Sequence, residues 1–223
     1  MLRFEREGAG PVEVEVQTLV VAGWTGRDEA AIQHHIEELG ALGVPAPSSV
    51  PVYYRNAATN VLQTDRLEVL GPDTSGEAEP VVVSLPDGLW LTVGSDHTDR
   101  KAETIGIALS KQLCGKVLGS QLWRLDEVLP HWDELILRAF ATIDGERVPY
   151  QEGRLSMMRT ASDLMTRYHG SAMLPPGTVM MCGTIPAIGG IRPAERFEME
   201  IEDPVLGRRL SHGYQVEVLP VVS

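Results

Sequence analysis

Residues 75–100 constrain the fold of this chain more than any other stretch, because they hold two apolar runs separated by a tight turn. Two such runs predict the strands of one hairpin. Glu77 and Glu79 enter the first run, and Asp96 ends the second. Side chains alternate along a strand, so the two glutamates would share a face and the turn would return Asp96 to their side. The pattern predicts three converging carboxylates, with His97 next to them.

Carboxylates packed this closely raise one another's pKa or need a cation to hold them. Oxygen donors suit a hard ion such as Mg²⁺, Mn²⁺ or Ca²⁺ better than zinc. Alternatively, these residues are solvated acids on a hairpin of an acidic protein. The residues alone leave both interpretations open.

The chain has 223 residues, enough for one large domain or for a small domain and a larger one. Its formal net charge of −12 argues against a nucleic-acid partner, since phosphates need a Lys/Arg face. A small anionic carboxylate needs only a local cation and stays possible. We find no apolar stretch that predicts a signal peptide or a membrane span, so we expect a cytoplasmic protein without membrane contact. The two cysteines lack the spacing of a zinc site.

Strands dominate the predicted elements, which indicates a β-rich α+β fold. Apolar periodicity predicts strands at 2–7, 12–22 and 67–71, hairpins around 144–145 and 203–207, and a strand within 174–190. Helices are predicted within 26–43, 103–113 and 158–169. The first would begin at Thr25 or Asp28 and end at Gly40 or Gly43. We place a boundary between a strand–helix region, 1–68, and a β-dominated region, 69–223.

The first of these helices carries His34 and His35, which invite interpretation as ligands. Adjacent residues on a helix diverge by about 100°, so both cannot face one ion. A surface or partner contact is the better interpretation.

From about residue 70 onwards, four motifs in order resemble the fumarylacetoacetate hydrolase superfamily. The first three are matched by Glu77-Ala78-Glu79 for E-x-E, residues 95–100 for N-D-x-S-x-R, and Lys111 for the lysine that follows. The fourth is a hairpin followed by three short motifs. These are matched by Gln151-Glu152-Gly153 for Q-x-G, Pro176-Gly177-Thr178 for P-G-D and residues 182–189 for T-G-T-P-x-G-V-G.

The resemblance implies a mixed-sheet roll or pseudo-barrel, usually as a homodimer. It also implies a divalent ion, Mg²⁺ or else Mn²⁺ or Ca²⁺, held by Glu77, Glu79 and Asp96. The usual chemistry of the superfamily is C–C hydrolysis, decarboxylation, hydration or tautomerisation of 2-oxo acids or acylpyruvates. There the ion acts as a Lewis acid on the enolate that develops.

The same resemblance assigns roles around the ion. Lys111 would supply a fixed positive charge to substrate oxygens, although it could equally be an exposed helix lysine. The loop with Gly183 and Thr184 would hold a carboxylate, or it is only a tight turn between strands. The remaining predicted substrate contacts are Gln151, Tyr54 and Arg55. Arg100 is predicted to pair with Asp99 rather than to touch substrate.

One departure from the superfamily pattern concerns the residue that activates water. Active hydrolases have a histidine in a loop of the form N-Y-x-x-H-x-x-E, and the segment that we match to it, 52–58, has none. His97 is a possible catalytic substitute, although on an extended segment it would point away from Asp96. The alternatives to an enzyme are therefore a non-catalytic metal- and carboxylate-binding protein on the same scaffold, or a plain β-sandwich with solvating acids.

Overall fold

The computed structural model describes residues 1–41 and 46–222, with the side chains at 35 and 38–41 outside that description. The strands are β1 (Leu2–Arg6), β2 (Gly10–Val14), β3 (Thr18–Gly23), β4 (Val52–Asn56), β5 (Val61–Leu62), β6 (Arg66–Leu70), β7 (Thr74–Ser75), β8 (Ala78–Leu85), β9 (Gly88–Asp96), β10 (Thr98–Asp99), β11 (Lys116–Leu118), β12 (Gln121–Arg124), β13 (Ile136–Ile143), β14 (Glu146–Arg154), β15 (Thr178–Met181), β16 (Arg196–Asp203) and β17 (Arg208–Leu219). The α-helices are α1 (Glu29–Ala41), α2 (Arg100–Glu103), α3 (Ile107–Leu113), α4 (Leu125–Val128) and α5 (Ala161–His169). Short 3₁₀ turns occupy Ala58–Asn60, Leu129–Glu134 and Leu155–Met157.

The larger of the two main sheets is mixed and has ten strands in the described part of the chain. Its order is β2-β1-β12-β9-β8-β15-β3-β4, and β11 joins it by pairing with both β9 and β5. The predicted hairpin of residues 75–100 is β8 and β9, and it lies at the centre of this sheet. Every residue of β8 is buried, which explains why that run is apolar on both faces.

The smaller main sheet has the order β14-β13-β16-β17-β6. One apolar core lies between the two sheets, with Leu137 and Phe197 from the smaller sheet and Val82 and Leu91 from the larger. A second apolar core, containing Phe4, Val83 and Trp90, lies on the other face of the larger sheet. Mixed, curled sheets of this kind confirm the predicted β-rich α+β roll.

Most predicted elements are confirmed, and two details are corrected. Residues 12–22 are not one strand: β2 pairs with β1, whereas β3 pairs in parallel with β15. The chain changes neighbour at Gln17, whose N–H donates to the carbonyl of Gly177 at 2.9 Å. Of the two predicted start residues for α1, Asp28 caps the helix, since its Oδ1 accepts the N–H of Ala31 at 3.0 Å. The helix continues past Gly40, and Gly43 lies outside the described residues.

Strands from both predicted regions share the larger sheet, where β3 of the first region lies beside β15 of the second. The division at residue 68 stays a prediction from composition. None of the helices in residues 1–41 and 46–222 is long and apolar enough to cross a membrane.

Candidate active site

Three carboxylates meet where β8 begins and β9 ends. Asp96 donates its N–H to the carbonyl of Glu77 at 2.9 Å, which places the two residues opposite each other. Glu79 lies two residues further along β8 and therefore on the same face. One oxygen from each of the three side chains lies within 4.8 Å of the others. The hairpin register thus produces the predicted cluster.

Two lysines neutralise Asp96, which is fully buried. The ammonium of Lys111, from α3, is in ion-pair contact with its Oδ2, and the ammonium of Lys116 lies 2.8 Å from its Oδ1. Burial opposes the charge on Asp96, but the two ammoniums outweigh that effect and lower its pKa to about 2. Asp96 is therefore a fixed anion at neutral pH.

Glu77 is the most solvent-accessible of the three acids and faces two cations. Its Oε1 lies 2.9 Å from the Arg100 guanidinium, and its Oε2 lies 3.5 Å from the Lys111 ammonium. Burial disfavours the charged form of Lys111, but Asp96, Glu77 and Glu79 together raise its pKa above the ordinary value. Lys111 therefore stays a cation.

Glu79 has a different environment. Its Oε2 accepts the N–H of Gly183 at 2.7 Å, and among the described residues it makes no ion pair within 4 Å. Burial, followed by the charge of Asp96, raises the pKa of Glu79 well above its usual range. A buried carboxylate next to two further acids, with no counter-ion of its own, matches a metal ligand. The donor set thus fits a hard divalent ion.

The Gly-rich loop is fixed against this cluster by Gln151. The Oε1 of Gln151 accepts the N–H of Ala78 at 2.9 Å, and its Nε2 donates to the Thr184 hydroxyl at 2.7 Å and to the Ile185 carbonyl at 2.6 Å. Thr184 in turn donates its hydroxyl to the carbonyl of Ala78 at 2.8 Å. The side chains of Gln151 and Thr184 therefore join the loop to β8, and the Thr184 hydroxyl proton is already in use.

A cleft of about 940 Å³ opens above the carboxylates. Its lining includes Glu77, Glu79 and Lys111 together with the loop of Gly183. Tyr54 also lines it, and burial raises the pKa of the Tyr54 phenol. The phenol is therefore a neutral hydrogen-bond donor at the wall of the cleft. This size and concavity suit a small-molecule site.

The structure corrects three predictions about individual side chains. His97 is 1% exposed, with Nδ1 2.8 Å from the Tyr214 hydroxyl and Nε2 2.9 Å from the Thr74 hydroxyl, and it does not line the cleft. Burial, reinforced by the charge of Lys116, lowers the pKa of His97 to about 3. With both ring nitrogens hydrogen-bonded behind the cluster, His97 has no route to a water in the cleft.

Arg55 does not line the cleft either, because its neighbour Tyr54 takes that face of β4. Its guanidinium instead lies 3.2 Å from the Tyr168 hydroxyl. Arg100 pairs with Glu77, not with Asp99 as predicted; Asp99 caps α2 by accepting the N–H of Ala102 at 2.8 Å.

Sequence reasoning missed two parts of the site. Lys116 is completely buried and lies opposite Asp96 in the pairing of β11 with β9. Helix α1 also borders the cleft, through Ala31 and Ile32, after a turn that contains Trp24. His34 on this helix is exposed, and the side chain of His35 lies outside the described part of the chain.

The sequence of the chain matches one protein family. A family model described as "Protein of unknown function (DUF2848)" matches residues 22–214. No match was found among curated proteins.

Solved structures resemble the chain over most of its length. One is 2-keto-3-deoxy-D-arabinonate dehydratase complexed with magnesium and 2,5-dioxopentanoate, with 14% identity, a TM-score of 0.63, and coverage of 95% of this chain and 76% of the other. A second is yeast ynq8, a fumarylacetoacetate hydrolase family protein, with 12% identity, a TM-score of 0.60, and coverage of 93% and 95%. A third is 4-oxalocrotonate decarboxylase from Pseudomonas putida G7, complexed with calcium and acetate, with 17% identity, a TM-score of 0.57, and coverage of 92% and 78%. At these identities the likeness shows a shared fold.

Proposed function

Because this chain belongs to the DUF2848 family and has the fold of the fumarylacetoacetate hydrolase superfamily, we propose that it is a divalent-metal-dependent enzyme acting on a small 2-oxo acid or an acylpyruvate-like carboxylate. The observation that carries the proposal is the cluster of Glu77, Glu79 and Asp96, whose oxygens lie within 4.8 Å of one another and of which Glu77 and Glu79 line a cleft. Two structural neighbours support it, since one is complexed with magnesium and the other with calcium.

Glu77, Glu79 and Asp96 would hold the ion, with Mg²⁺ as the first choice and Mn²⁺ or Ca²⁺ as alternatives. When bound, the ion supplies Lewis-acid stabilisation of negative charge that develops on substrate oxygens. The chain holds the ligands in place: Gly183 donates to Glu79, and Lys116 fixes Asp96 from the side opposite Glu77 in the sheet.

Binding and orientation of the substrate fall to the residues that border the carboxylates. The Lys111 ammonium gives the head of an anionic substrate a fixed positive charge. The neutral Tyr54 phenol can donate a hydrogen bond to a carbonyl or carboxylate oxygen. The two donors line the same cleft as Glu77 and Glu79, so a single small substrate can contact both of them.

The reaction type follows from the groups available to activate water. Among the described side chains that line the cleft there is no histidine. Two further acids line it, but Asp28 caps α1 and Glu103 is paired with Arg100. We therefore favour a lyase or isomerase reaction, such as decarboxylation or loss of water, over C–C hydrolysis. The activities named for two neighbours, a dehydratase and a decarboxylase, support this choice.

The proposal is tested by Mg²⁺ and Mn²⁺ binding, measured calorimetrically, together with turnover of oxaloacetate and acylpyruvates against a protein-free Mg²⁺ control. We expect one ion per chain and metal-dependent turnover, both lost in Glu79→Gln. Asp28→Asn is the matched control, since it removes a carboxylate charge from the cleft lining, keeps the side-chain oxygen that caps α1 and leaves the three predicted ligands unchanged. An ion that binds without any turnover would instead support a non-catalytic binding protein, and a wild-type chain that binds no ion would overturn the proposal.

A homodimeric assembly and a cytoplasmic location remain predictions from the sequence and from the superfamily resemblance. The oligomeric state is measured by light scattering on the purified chain.

A further inference from the structure

The walls of the cleft differ in character from its base. We propose that the site selects a 2-oxo acid with a single carboxylate and an uncharged, apolar substituent, which lies along a wall formed by Trp24, Ile32 and Ile191. This inference rests on the proposed function, because it assumes that the head of the substrate binds at the carboxylate cluster.

Among the described lining residues, the charged side chains other than Asp28 are grouped around Glu77: Arg100 and Lys111 pair with it, Glu103 pairs with Arg100, and Glu79 belongs to the same carboxylate cluster. Apart from the charged groups, the lining is mostly aliphatic, aromatic or sulfur-containing; its larger members include Trp24, Ile32, Ile107, Met157, Ile185 and Ile191. Ile191 is 55% exposed and Met157 is 51% exposed. Exposed apolar side chains gathered in one concave surface mark a site where a ligand removes apolar area from water.

The distribution of cations argues against a second carboxylate on the substrate. Among the described side chains lining the cleft, the cations are Arg100 and Lys111. Ion pairs hold both of them at the carboxylate cluster, Arg100 with Glu77 and Glu103 and Lys111 with Asp96, where they serve the head of the substrate and not its far end. A charged group at the far end of the substrate would lose its hydration without gaining a counter-ion, which is costly. The carboxylate of Asp28 on the same lining adds repulsion.

The backbone at Trp24 gives an independent reason to assign the wall a role. Trp24 has φ of 57°, a left-handed conformation that is a genuine outlier for a bulky residue. The next residue fixes this turn: the Thr25 carbonyl accepts the Arg159 N–H at 2.8 Å, and the Thr25 side chain fills the space next to Gly183. The surroundings thus hold a strained tryptophan at the cleft wall, and such strain is concentrated at ligand-binding sites.

The test measures binding of defined 2-oxo acids to the full chain in the presence of Mg²⁺. Pyruvate, 2-oxobutanoate and 2-oxohexanoate form a series of increasing apolar length, and 2-oxoadipate replaces the terminal methyl group of 2-oxohexanoate with a carboxylate. We expect the affinity to rise by up to about fourfold per added methylene, and 2-oxoadipate to bind at least about tenfold more weakly than 2-oxohexanoate. Affinity that is independent of length, or 2-oxoadipate binding as tightly as 2-oxohexanoate, would overturn the inference.

Oxalate, which has a chelating head and no tail, separates this inference from the proposed function. Mg²⁺-dependent oxalate binding with no effect of tail length would refute the apolar wall alone. Failure of oxalate and of every 2-oxo acid to bind would refute both.

A variant pair locates the wall. Ile191→Ser should remove at least about half of the affinity gain of 2-oxohexanoate over pyruvate and leave oxalate binding unchanged. Ile188→Ser is the control, since Ile188 is a similarly exposed isoleucine of the same loop, 47% exposed, that does not line the cleft. Equal effects of the two substitutions would contradict the assignment of Ile191.

Discussion

The ammonium of Lys116 lies 2.8 Å from the Asp96 carboxylate, and neither side chain has any exposed surface. The two residues are direct neighbours in the pairing of β11 with β9, so the backbone of the sheet holds the pair together. The Lys116 ammonium also donates a hydrogen bond to the carbonyl of His97. Burying two charges costs several kcal/mol of desolvation per ion, and their attraction compensates only while both are present.

Lys116→Met should therefore destabilise the fold strongly. Loss of Lys116 leaves Asp96 with Lys111 as its remaining counter-ion, so the free energy of unfolding falls by up to the about 3–5 kcal/mol that a wholly unpaired buried charge costs. Urea denaturation measures the change. Lys101→Met is the control: Lys101 is exposed on α2, and we expect its effect to stay within about 0.5 kcal/mol. A loss below about 1 kcal/mol for Lys116→Met would show that the pair does not stabilise the fold in this way.

The acid cluster could be predicted from the sequence because its geometry is local. Glu77 and Glu79 are two residues apart, and a short turn brings Asp96 back across one hairpin, so strand alternation alone fixes the arrangement. Lys116 could not be found in this way. Its burial depends on the pairing of β11 with β9, and a single lysine between Gly115 and Val117 gives no local sign of that contact.

The position of α1 and the orientation of Arg55 also differ from what the sequence predicted. Helix α1 was predictable from its cap and periodicity, but its position over the cleft depends on the turn at Trp24, which packs against a loop far along the chain. A local signal was available for β4: adjacent residues point to opposite faces, so Tyr54 and Arg55 could not both have lined the cleft.

Lys111 competes with any cation for the Asp96 carboxylate, because its ammonium is in ion-pair contact with that group. A unit charge about 4 Å away contributes about 4 kcal/mol of repulsion at an effective dielectric constant of 20, before solvent screening. We expect Lys111→Met to raise the Mg²⁺ affinity by at least about tenfold, as measured by calorimetry, and to lower turnover, because the proposed substrate contact is lost. Lys111→Arg keeps the charge and should leave the Mg²⁺ affinity within about threefold of the wild type. An unchanged or weaker affinity in Lys111→Met would mean that the lysine does not oppose the ion.

Gly183 has both a conformational and a steric reason to be glycine. Its φ is 92°, and a Cβ there would lie 1.8 Å from the Thr25 hydroxyl oxygen. Its N–H also holds Glu79, so movement of the loop would disturb a predicted ligand. We expect Gly183→Ala to lower the free energy of unfolding and to weaken Mg²⁺ binding by about tenfold or more.

Gly190→Ala separates the cost of backbone strain from the cost of the steric clash at Gly183. Gly190 has φ of 85° but nothing within 4 Å of the position where a Cβ would lie. Its substitution should cost only the conformational strain of about 1 kcal/mol, and Gly183→Ala should cost at least about 2 kcal/mol more in urea denaturation. Equal costs at the two positions would show that the contact with Thr25 relaxes freely.

Gln151 joins the loop of Thr184 to the beginning of β8 through three hydrogen bonds, all made by a side chain that is 2% exposed. Gln151→Leu removes all of them and leaves the N–H of Ala78 and the carbonyl of Ile185 without this partner. Because a buried unsatisfied group costs about 1–3 kcal/mol, we expect a loss of about 2–4 kcal/mol in the free energy of unfolding. Mg²⁺ affinity should fall as well, because Gln151 holds the loop that carries Gly183 against the strand that carries Glu79.

The control is Gln121→Leu, at an exposed position on β12. It makes the same change of side chain without buried partners and should cost less than about 0.5 kcal/mol. Full stability combined with weakened Mg²⁺ binding in Gln151→Leu would assign Gln151 to the site alone, and full stability with unchanged binding would contradict both parts of the prediction.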